Sequence, residues 1–283
     1  MTTLREIKSC VFGKGNVEMF DCADEVVKAS KSRPLRRDAG FTTDEQKKHD
    51  KSFTGVESLD EACELLKTGY QPAVDRLKTG IKANLSGQGK RISFFNDVVG
   101  FQPIVPLALQ GVPNSMQNSY MKPIKAKVLD VYYDMTVNCN IKKEDLQKAG
   151  EKLLGAILEL EMQGYKFNLY AIQSYSDESS FDILCTKIKS SNTPLDLRKI
   201  SFPLTHPGYF RSIGFDWYSR MPKSKYRWGY GRGLAYNHNE QKVVKGFKEI
   251  FGKNAVVFCA QKMLDKDSQH IKDVLTNNNA KEA

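Results

Sequence analysis

The sequence predicts an α/β protein with a Rossmann-like, mostly parallel sheet and an antiparallel edge strand, preceded by a helical N-terminal region punctuated by prolines. Three patterns in the second half support this class: a β-branched and aromatic strand at 125–133, an amphipathic helix at 145–164 and an alternating strand at 165–172. A strand, a helix and a strand in this order form a parallel right-handed crossover. A strand at 181–188 follows a turn-like segment at 174–180, and so short a link joins antiparallel strands.

The remaining elements of this half are shorter. The pattern predicts a helix at 240–251 capped by Gly252, a strand at 255–260 and a last helix at 267–275. We expect the strands and the inward rows of the long helix to form the core. The predicted core residues are Val128, Leu129, Val131, Leu153, Ile157, Phe167, Leu169, Ile183, Val256 and Phe258.

Composition divides the 283 residues into four segments. Residues 1–52 form a charged arm with little apolar periodicity, and 53–123 form a helical region. Residues 124–275 form the α/β domain, and 276–283 form a tail that should fray. Within the helical region, Ser58-Leu59-Asp60-Glu61 is a capping box and predicts the start of a helix.

The charge and cysteine content limit the possible partners and cofactors. A net charge of +10 favours an acidic partner, either nucleic acid or an acidic protein surface. The apolar run at 255–260 is far shorter than the roughly 20 residues that cross a bilayer, and the N-terminus has no secretory pattern, so we expect a cytoplasmic protein without a membrane partner. The six cysteines stand singly, which predicts structural thiols and no zinc site.

Two aspartates and a tyrosine occupy alternate positions at the end of the first predicted strand. Asp130, Tyr132 and Asp134 are succeeded by Met135. This segment and the order of elements from residue 124 onward resemble a von Willebrand factor A domain, whose first strand ends in an Asp-x-Ser-x-Ser metal motif. The resemblance implies a protein-binding scaffold that recognises its partner at the C-terminal ends of the strands, and it implies a divalent cation held by Asp130 and Asp134. Tyrosine and aspartate here replace the two small hydroxyl residues of that motif. The general features of the chain also resemble uncharacterised proteins of tailed phages.

A second informative region, 217–232, interleaves cations with aromatic rings and contains no acidic residue. Its cations would neutralise phosphates or carboxylates and its rings would stack on unpaired bases. The alternative is a loop that packs its rings on the domain while its cations reach into water. With the N-terminal arm, the candidate binding residues are Arg33, Arg36, Arg37, Arg220, Lys223, Lys225, Tyr226, Arg227, Trp228, Tyr230 and Arg232.

The sequence shows no recognisable catalytic constellation. The four histidines, His49, His206, His238 and His270, lack metal-ligand spacing, which predicts surface or capping roles. Three hypotheses follow: a non-enzymatic scaffold that binds an acidic macromolecule, a nucleic-acid-binding protein that uses 217–232, and a divalent-metal hydrolase with Asp130, Asp134 and Asp177 as ligands. Only the third requires a cofactor.

Overall fold

The computed structural model describes residues 3–35, 51–84, 92–121, 128–176, 180–221 and 233–277. The chain divides into two compact units. The first comprises residues 1–81 and 127–283, and the second comprises residues 82–126.

The first unit is built on a six-stranded sheet with the order β1-β2-β8-β7-β6-β9. Its strands are β1 (Thr3–Cys10), β2 (Gly13–Phe20), β6 (Val128–Asp134), β7 (Lys166–Ser176), β8 (Ser180–Lys189) and β9 (Val256–Cys259). Strand β6 is parallel to both β7 and β9, while β7 and β8 form an antiparallel pair. The predicted α/β class, the mostly parallel sheet and the crossover between β6 and β7 are therefore confirmed.

Two parts of the sheet differ from the prediction. The turn predicted at 174–180 is shorter, because β7 continues to Ser176 and β8 begins at Ser180. Strand β8 is not an edge strand, since β2 pairs with it in parallel from Lys14↔Ser180 to Phe20↔Thr186. The N-terminal segment expected as an arm thus contributes β1 and β2 to the sheet, and the charged strand β1 forms its edge.

Helices cover both faces of this sheet. They are α1 (Ala23–Ser32), α2 (Lys51–Thr54), α3 (Leu59–Thr68), α4 (Gln71–Asn84), α6 (Lys143–Met162), α7 (Leu197–Thr205), α8 (Phe215–Ser219), α9 (Leu234–Asn237), α10 (Glu240–Phe251), α11 (Ala260–Met263) and α12 (Ser268–Asn277). A π-helix, Tyr209–Gly214, connects α7 to α8. The capping box is confirmed, because the Ser58 side chain accepts a hydrogen bond from the Glu61 backbone N–H.

Two hydrophobic clusters lie on opposite faces of the sheet, because neighbouring residues of one strand alternate between them. Val131 and Tyr133 belong to the larger cluster with α6, whereas Tyr132 belongs to the smaller cluster with α10. Nine of the ten predicted core residues are buried, and Val128, the first residue of β6, is 50% exposed. The start of the predicted tail also differs, because α12 continues to Asn277.

The second unit, expected to be helical, contains a small antiparallel sheet with the order β3-β5-β4. Its described elements are β3 (Ile92–Asp97), β4 (Gln102–Pro103), α5 (Val105–Leu109) and β5 (Met116–Met121). Pro103 lies in the two-residue edge strand β4, a position where the missing N–H is tolerated. Pro106 lies at the start of α5, where a missing N–H is also tolerated, so neither proline prevents the elements of this unit from forming.

Candidate functional site

A buried polar network lies where β6 ends. The Asp134 carboxylate accepts hydrogen bonds from the Thr136 backbone N–H (3.0 Å) and the Ser174 hydroxyl (2.8 Å). Thr136 Oγ1 accepts a hydrogen bond from the Ser174 backbone N–H (2.7 Å), and Ser174 Oγ accepts one from the Leu234 backbone N–H (3.1 Å). The network therefore joins the ends of two parallel strands to the start of α9.

Burial sets the chemistry of this carboxylate. Asp134 is completely buried, and burial raises its pKa to about 6, although the hydrogen bonds from Thr136 and Ser174 act in the opposite direction. Asp134 is therefore an internal, hydrogen-bonded group and has no direct access to solvent.

Above this network a cleft of about 490 Å³ opens at the C-terminal ends of β6 and β7. Its aromatic lining residues are Phe53, Tyr175, Phe210, Phe215 and Tyr236. Polar groups come from the loop after β6, through Thr136, Asn138 and Asn140. An apolar concavity with a few polar groups is the usual form of a ligand site, and strand C-terminal ends are its usual place in an α/β sheet.

The π-helix forms one wall of the cleft and is fixed to β7. The Gln173 side-chain amide donates a hydrogen bond to the Tyr209 carbonyl (3.1 Å), and the Tyr175 hydroxyl donates one to Gln173 Oε1 (3.0 Å). Gly214 allows this close approach, because a Cβ at that position would lie 1.5 Å from Gln173 Oε1. Such π-helical turns occur often at functional sites.

A buried cation lies behind the cleft wall. The Arg211 guanidinium donates hydrogen bonds to the carbonyls of Phe53 (2.9 Å) and Ile141 (2.8 Å), and it lies 4.2 Å from the centre of the Phe53 ring. Burial lowers its pKa to about 10, so it remains charged at neutral pH. Within the described part of the chain, no carboxylate forms an ion pair with Arg211, and its Nε has no hydrogen-bond partner.

The structure does not bring the predicted metal ligands together. Asp130 lies four residues before Asp134 on β6, a separation of about 13 Å along a strand. Its carboxylate accepts a hydrogen bond from the Asn168 side chain (2.7 Å) instead. Asp177, the third ligand of the hydrolase hypothesis, lies outside the described residues.

Alternating polar residues occur at the end of β6 and in the loop after it, at Asp134, Thr136 and Asn138. This pattern lies four residues later in the chain than the expected metal motif, which begins at Asp130. These oxygen donors fit a divalent cation poorly, because they engage one another and the local backbone. Asn138 Oδ1 accepts a hydrogen bond from the Asn140 backbone N–H (3.0 Å), while both Asp134 oxygens accept bonds within the network. Over the ranges that the structure describes, no group of three or more His, Cys, Asp or Glu side chains could hold a metal ion.

Two candidate binding residues have internal partners. Arg33 donates hydrogen bonds to both carboxylate oxygens of Glu18 (2.8 and 2.5 Å), and Glu18 is buried. Arg220 pairs with Asp216 (2.9 Å) and donates a hydrogen bond to the Arg33 carbonyl (2.7 Å). Trp217, the first aromatic residue of the predicted binding region, is buried and donates a hydrogen bond to Glu18 (2.7 Å).

The other candidates cannot be placed in the same way. Arg36, Arg37, Lys223, Lys225, Tyr226, Arg227, Trp228, Tyr230 and Arg232 lie outside the described residues. Among the histidines, His206 is buried and not at the surface, but it has a capping role, because its Nδ1 accepts a hydrogen bond from the Gly208 backbone N–H (3.0 Å).

Sequence reasoning missed the residues that build the cleft. Thr136 and Asn138 carried a signal, since they alternate with apolar residues directly after a strand. Arg211 was a single charge between aromatic and aliphatic residues, which is the pattern of a buried cation. Phe53 and Tyr236 carried no local signal, because only the tertiary fold brings them to the end of β6.

We expect the pH dependence of unfolding to report on Asp134 and His206 separately. With a folded pKa of about 6, Asp134 stabilises the fold most at low pH, and roughly 3 kcal/mol is lost as the pH rises from about 4 to 6. Burial, aided by Lys143, lowers the pKa of His206 to about 4, so a contribution of similar size is lost as the pH falls from about 6.5 to 4.

These two effects oppose each other in the wild-type chain. In Asp134→Asn the His206 effect is no longer opposed by Asp134, and urea unfolding should show stability falling on acidification. In His206→Asn, which keeps an acceptor for Gly208, stability should instead rise on acidification. If stability changed with pH in the same direction in both variants, the buried, shifted states of Asp134 and His206 would be contradicted.

Thermal unfolding tests the metal hypothesis separately. Adding Mg²⁺ should leave the melting temperature of the wild-type chain unchanged. An increase that is lost in Asp134→Asn would restore the metal hypothesis.

The α/β sheet, with its cleft at the strand ends, defines a class of fold shared by many binding proteins and enzymes. A family model for a domain of unknown function, DUF7192, matches residues 15–275, and the chain belongs to this family. No curated protein and no solved structure matches the chain. In the described residues, none of the helices has both the length and the apolar character needed to span a membrane. The phage resemblance and the cytoplasmic location stay predictions.

Proposed function

We propose that this chain is a non-enzymatic scaffold that binds an acidic macromolecular partner, an acidic protein segment, in the cleft at the ends of β6 and β7. The observation that carries the proposal is the buried Arg211, whose charge no described carboxylate balances and whose guanidinium lies directly behind the Phe53 ring of the cleft. An uncompensated cation beneath an apolar wall gives the cleft a positive potential that favours an anionic ligand.

The sequence that leads into the cleft residue Gly233 is strongly basic. Gly233 lines the cleft, and it directly follows the segment 222–232, which contains four lysines and arginines and no acidic residue. The basic aromatic pattern and the cleft are thus parts of one proposed binding region.

The element order supports the von Willebrand A-like part of the proposal. Strand β6, helix α6, parallel strand β7 and antiparallel strand β8 follow one another as in the family described above, and β9 lies on the other side of β6. In that arrangement the loop after the first strand forms the recognition edge, and here this loop is 135–140.

The cleft chemistry favours binding over catalysis. Among the described residues that line it, none carries a carboxylate, an imidazole or an ammonium group. Asp134, which the hydrolase hypothesis requires as a ligand, is buried beneath the cleft and held by Thr136 and Ser174. The titratable groups that do line the cleft are the Cys139 thiol and the Tyr175 and Tyr236 hydroxyls, and the thiol contacts the side-chain oxygens of Asn138 and Asn140, which are not bases.

We test the proposal by measuring the affinity of the full chain for polyglutamate and for oligothymidylate of matched length. The proposal expects polyglutamate to bind at low salt. Tyr236→Ala, which removes a 44% exposed ring from the cleft, should weaken this binding at least about fivefold. Lys223→Ala with Arg227→Ala should weaken it further and reduce its salt dependence.

Matched controls separate the cleft from net charge and from general aromatic content. Lys245→Ala with Lys253→Ala removes the same charge from α10 and the residues after it, and Tyr165→Ala removes a ring at the opposite end of β7. Both should retain wild-type affinity. Equal losses in test and control variants, or no binding of either polymer by the wild-type chain, would overturn the proposal.

A second candidate function is single-stranded nucleic-acid binding. The exposed Tyr236 ring and the side-chain amides of Asn138 and Asn140 would suit base stacking and base-edge contacts at one cleft. In that case oligothymidylate should bind more tightly than polyglutamate. Tyr236→Ala should then cost about 1–3 kcal/mol, the usual value of one stacked base.

A further inference from the structure

The second unit exposes an apolar surface that its own described residues do not cover. No side chain described between Phe94 and Ser119 is buried. The most exposed large hydrophobic residues are Phe94, Val98, Val99, Phe101, Val105 and Leu109, with Leu109 84% exposed. Soluble domains rarely expose so many apolar residues together unless the surface binds a partner. A three-stranded sheet without a covered face is also marginally stable by itself.

The charge of this surface is unusual for the chain. Between Ile92 and Met121 the only charged residue is Asp97, although 27% of the whole chain is charged and its net charge is +10. A strongly charged partner would gain no charge complementarity here. Two copies of the chain, in contrast, would bring together neutral surfaces at this unit and avoid the repulsion between their basic residues.

The backbone of β3 points to the manner of contact. On one side β3 pairs with β5 from Ile92↔Met121 to Asp97↔Met116. Within the described ranges no strand pairs with its other side, so β3 is an open edge of the sheet. A lipid bilayer cannot satisfy the hydrogen bonds of such an edge. A protein strand can, and open edges are common sites of strand addition.

We propose that this unit is a self-association surface through which a second copy of the chain binds. Two β3 strands pair antiparallel across a two-fold axis and join the two small sheets into one sheet of six strands. A pairing centred on Phe95 places two phenylalanine rings opposite each other. It also separates the two Asp97 carboxylates by four positions along the strands, about 13 Å, so their repulsion is small.

Light scattering coupled to size-exclusion chromatography tests this proposal on the full chain. We expect a mass of twice 32.0 kDa that falls toward the monomer on dilution. Phe95→Lys should raise the dimer dissociation constant by at least about tenfold, because it places a charge beside its own symmetry mate. Met162→Lys, the same change at a 46% exposed apolar residue of α6, should leave the dimer intact.

Other occupants of the surface give different results. A wild-type chain that is monomeric at all concentrations overturns the proposal, as does a dimer that Phe95→Lys and Val99→Lys both leave intact. Val99→Lys is included because Val99 lies outside the strands, so its substitution should not disturb the sheet. Dimerisation that appears only after deletion of residues 36–50 would show that the chain covers its own surface. Flotation of the wild-type monomer with phosphatidylserine vesicles would assign the surface to lipid.

Discussion

Arg33→Met should destabilise the protein by about 3–5 kcal/mol, because it leaves the buried Glu18 carboxylate without its cationic partner. In the wild-type chain Glu18 is 1% exposed and receives three hydrogen bonds, two from Arg33 and one from Trp217 Nε1. The hydrogen bonds to Glu18 raise the pKa of Arg33, so its guanidinium stays charged. The loss should be visible as a lower free energy of unfolding in urea.

The double variant Glu18→Gln with Arg33→Met is the informative control. The neutral amide still accepts the Trp217 hydrogen bond and does not require a cation, so the double variant should recover most of the stability lost in Arg33→Met. If Arg33 instead served only an acidic partner at the surface, the single substitution would leave stability within about 0.5 kcal/mol of the wild type. That outcome would contradict the internal role of Arg33 and return it to the candidate binding residues.

The sequence predicts correctly those helices and strands that have a clear hydrophobic periodicity of their own. The long helix α6 has apolar residues on a continuous inward face, and the strands around it are rich in β-branched and aromatic residues. Such elements bury one face whatever their neighbours are, so the local pattern is sufficient. The parallel crossover then follows from chain order and handedness.

Strands β1 and β2 were missed because their place depends on a distant partner. Strand β1 is a charged edge strand with one buried residue, Ile7, and β2 contains two glycines and the buried Glu18. Their sequences resemble an exposed arm, and only the pairing of β2 with β8, more than 150 positions away, makes them part of the sheet. Edge strands with charged residues are common, since charge protects the edge from aggregation.

The candidate site was less predictable than the fold because it is assembled from separate segments. Phe53, the loop after β6, Tyr175, the π-helix and Tyr236 meet at one strand end, and each has a different local pattern. The sequence around Arg211 is typical of a buried cation, but only the structure shows that no carboxylate among the described residues pairs with it. A sequence contains the residue type but not its surroundings.

Leu153→Ala, in the buried face of α6, should also destabilise the protein strongly. We expect a loss of about 2–5 kcal/mol in the free energy of unfolding. Leu153 is 1% exposed and belongs to the hydrophobic cluster that α6 shares with the sheet, so truncation removes apolar contacts and leaves a cavity. Leu158→Ala, on the same helix at a half-buried position, is the matched control and should cost less than half as much. Both variants change helix propensity equally, so the difference in urea unfolding between them isolates burial. Equal losses would mean that α6 does not bury the predicted face, and the crossover between β6 and β7 would then need another explanation.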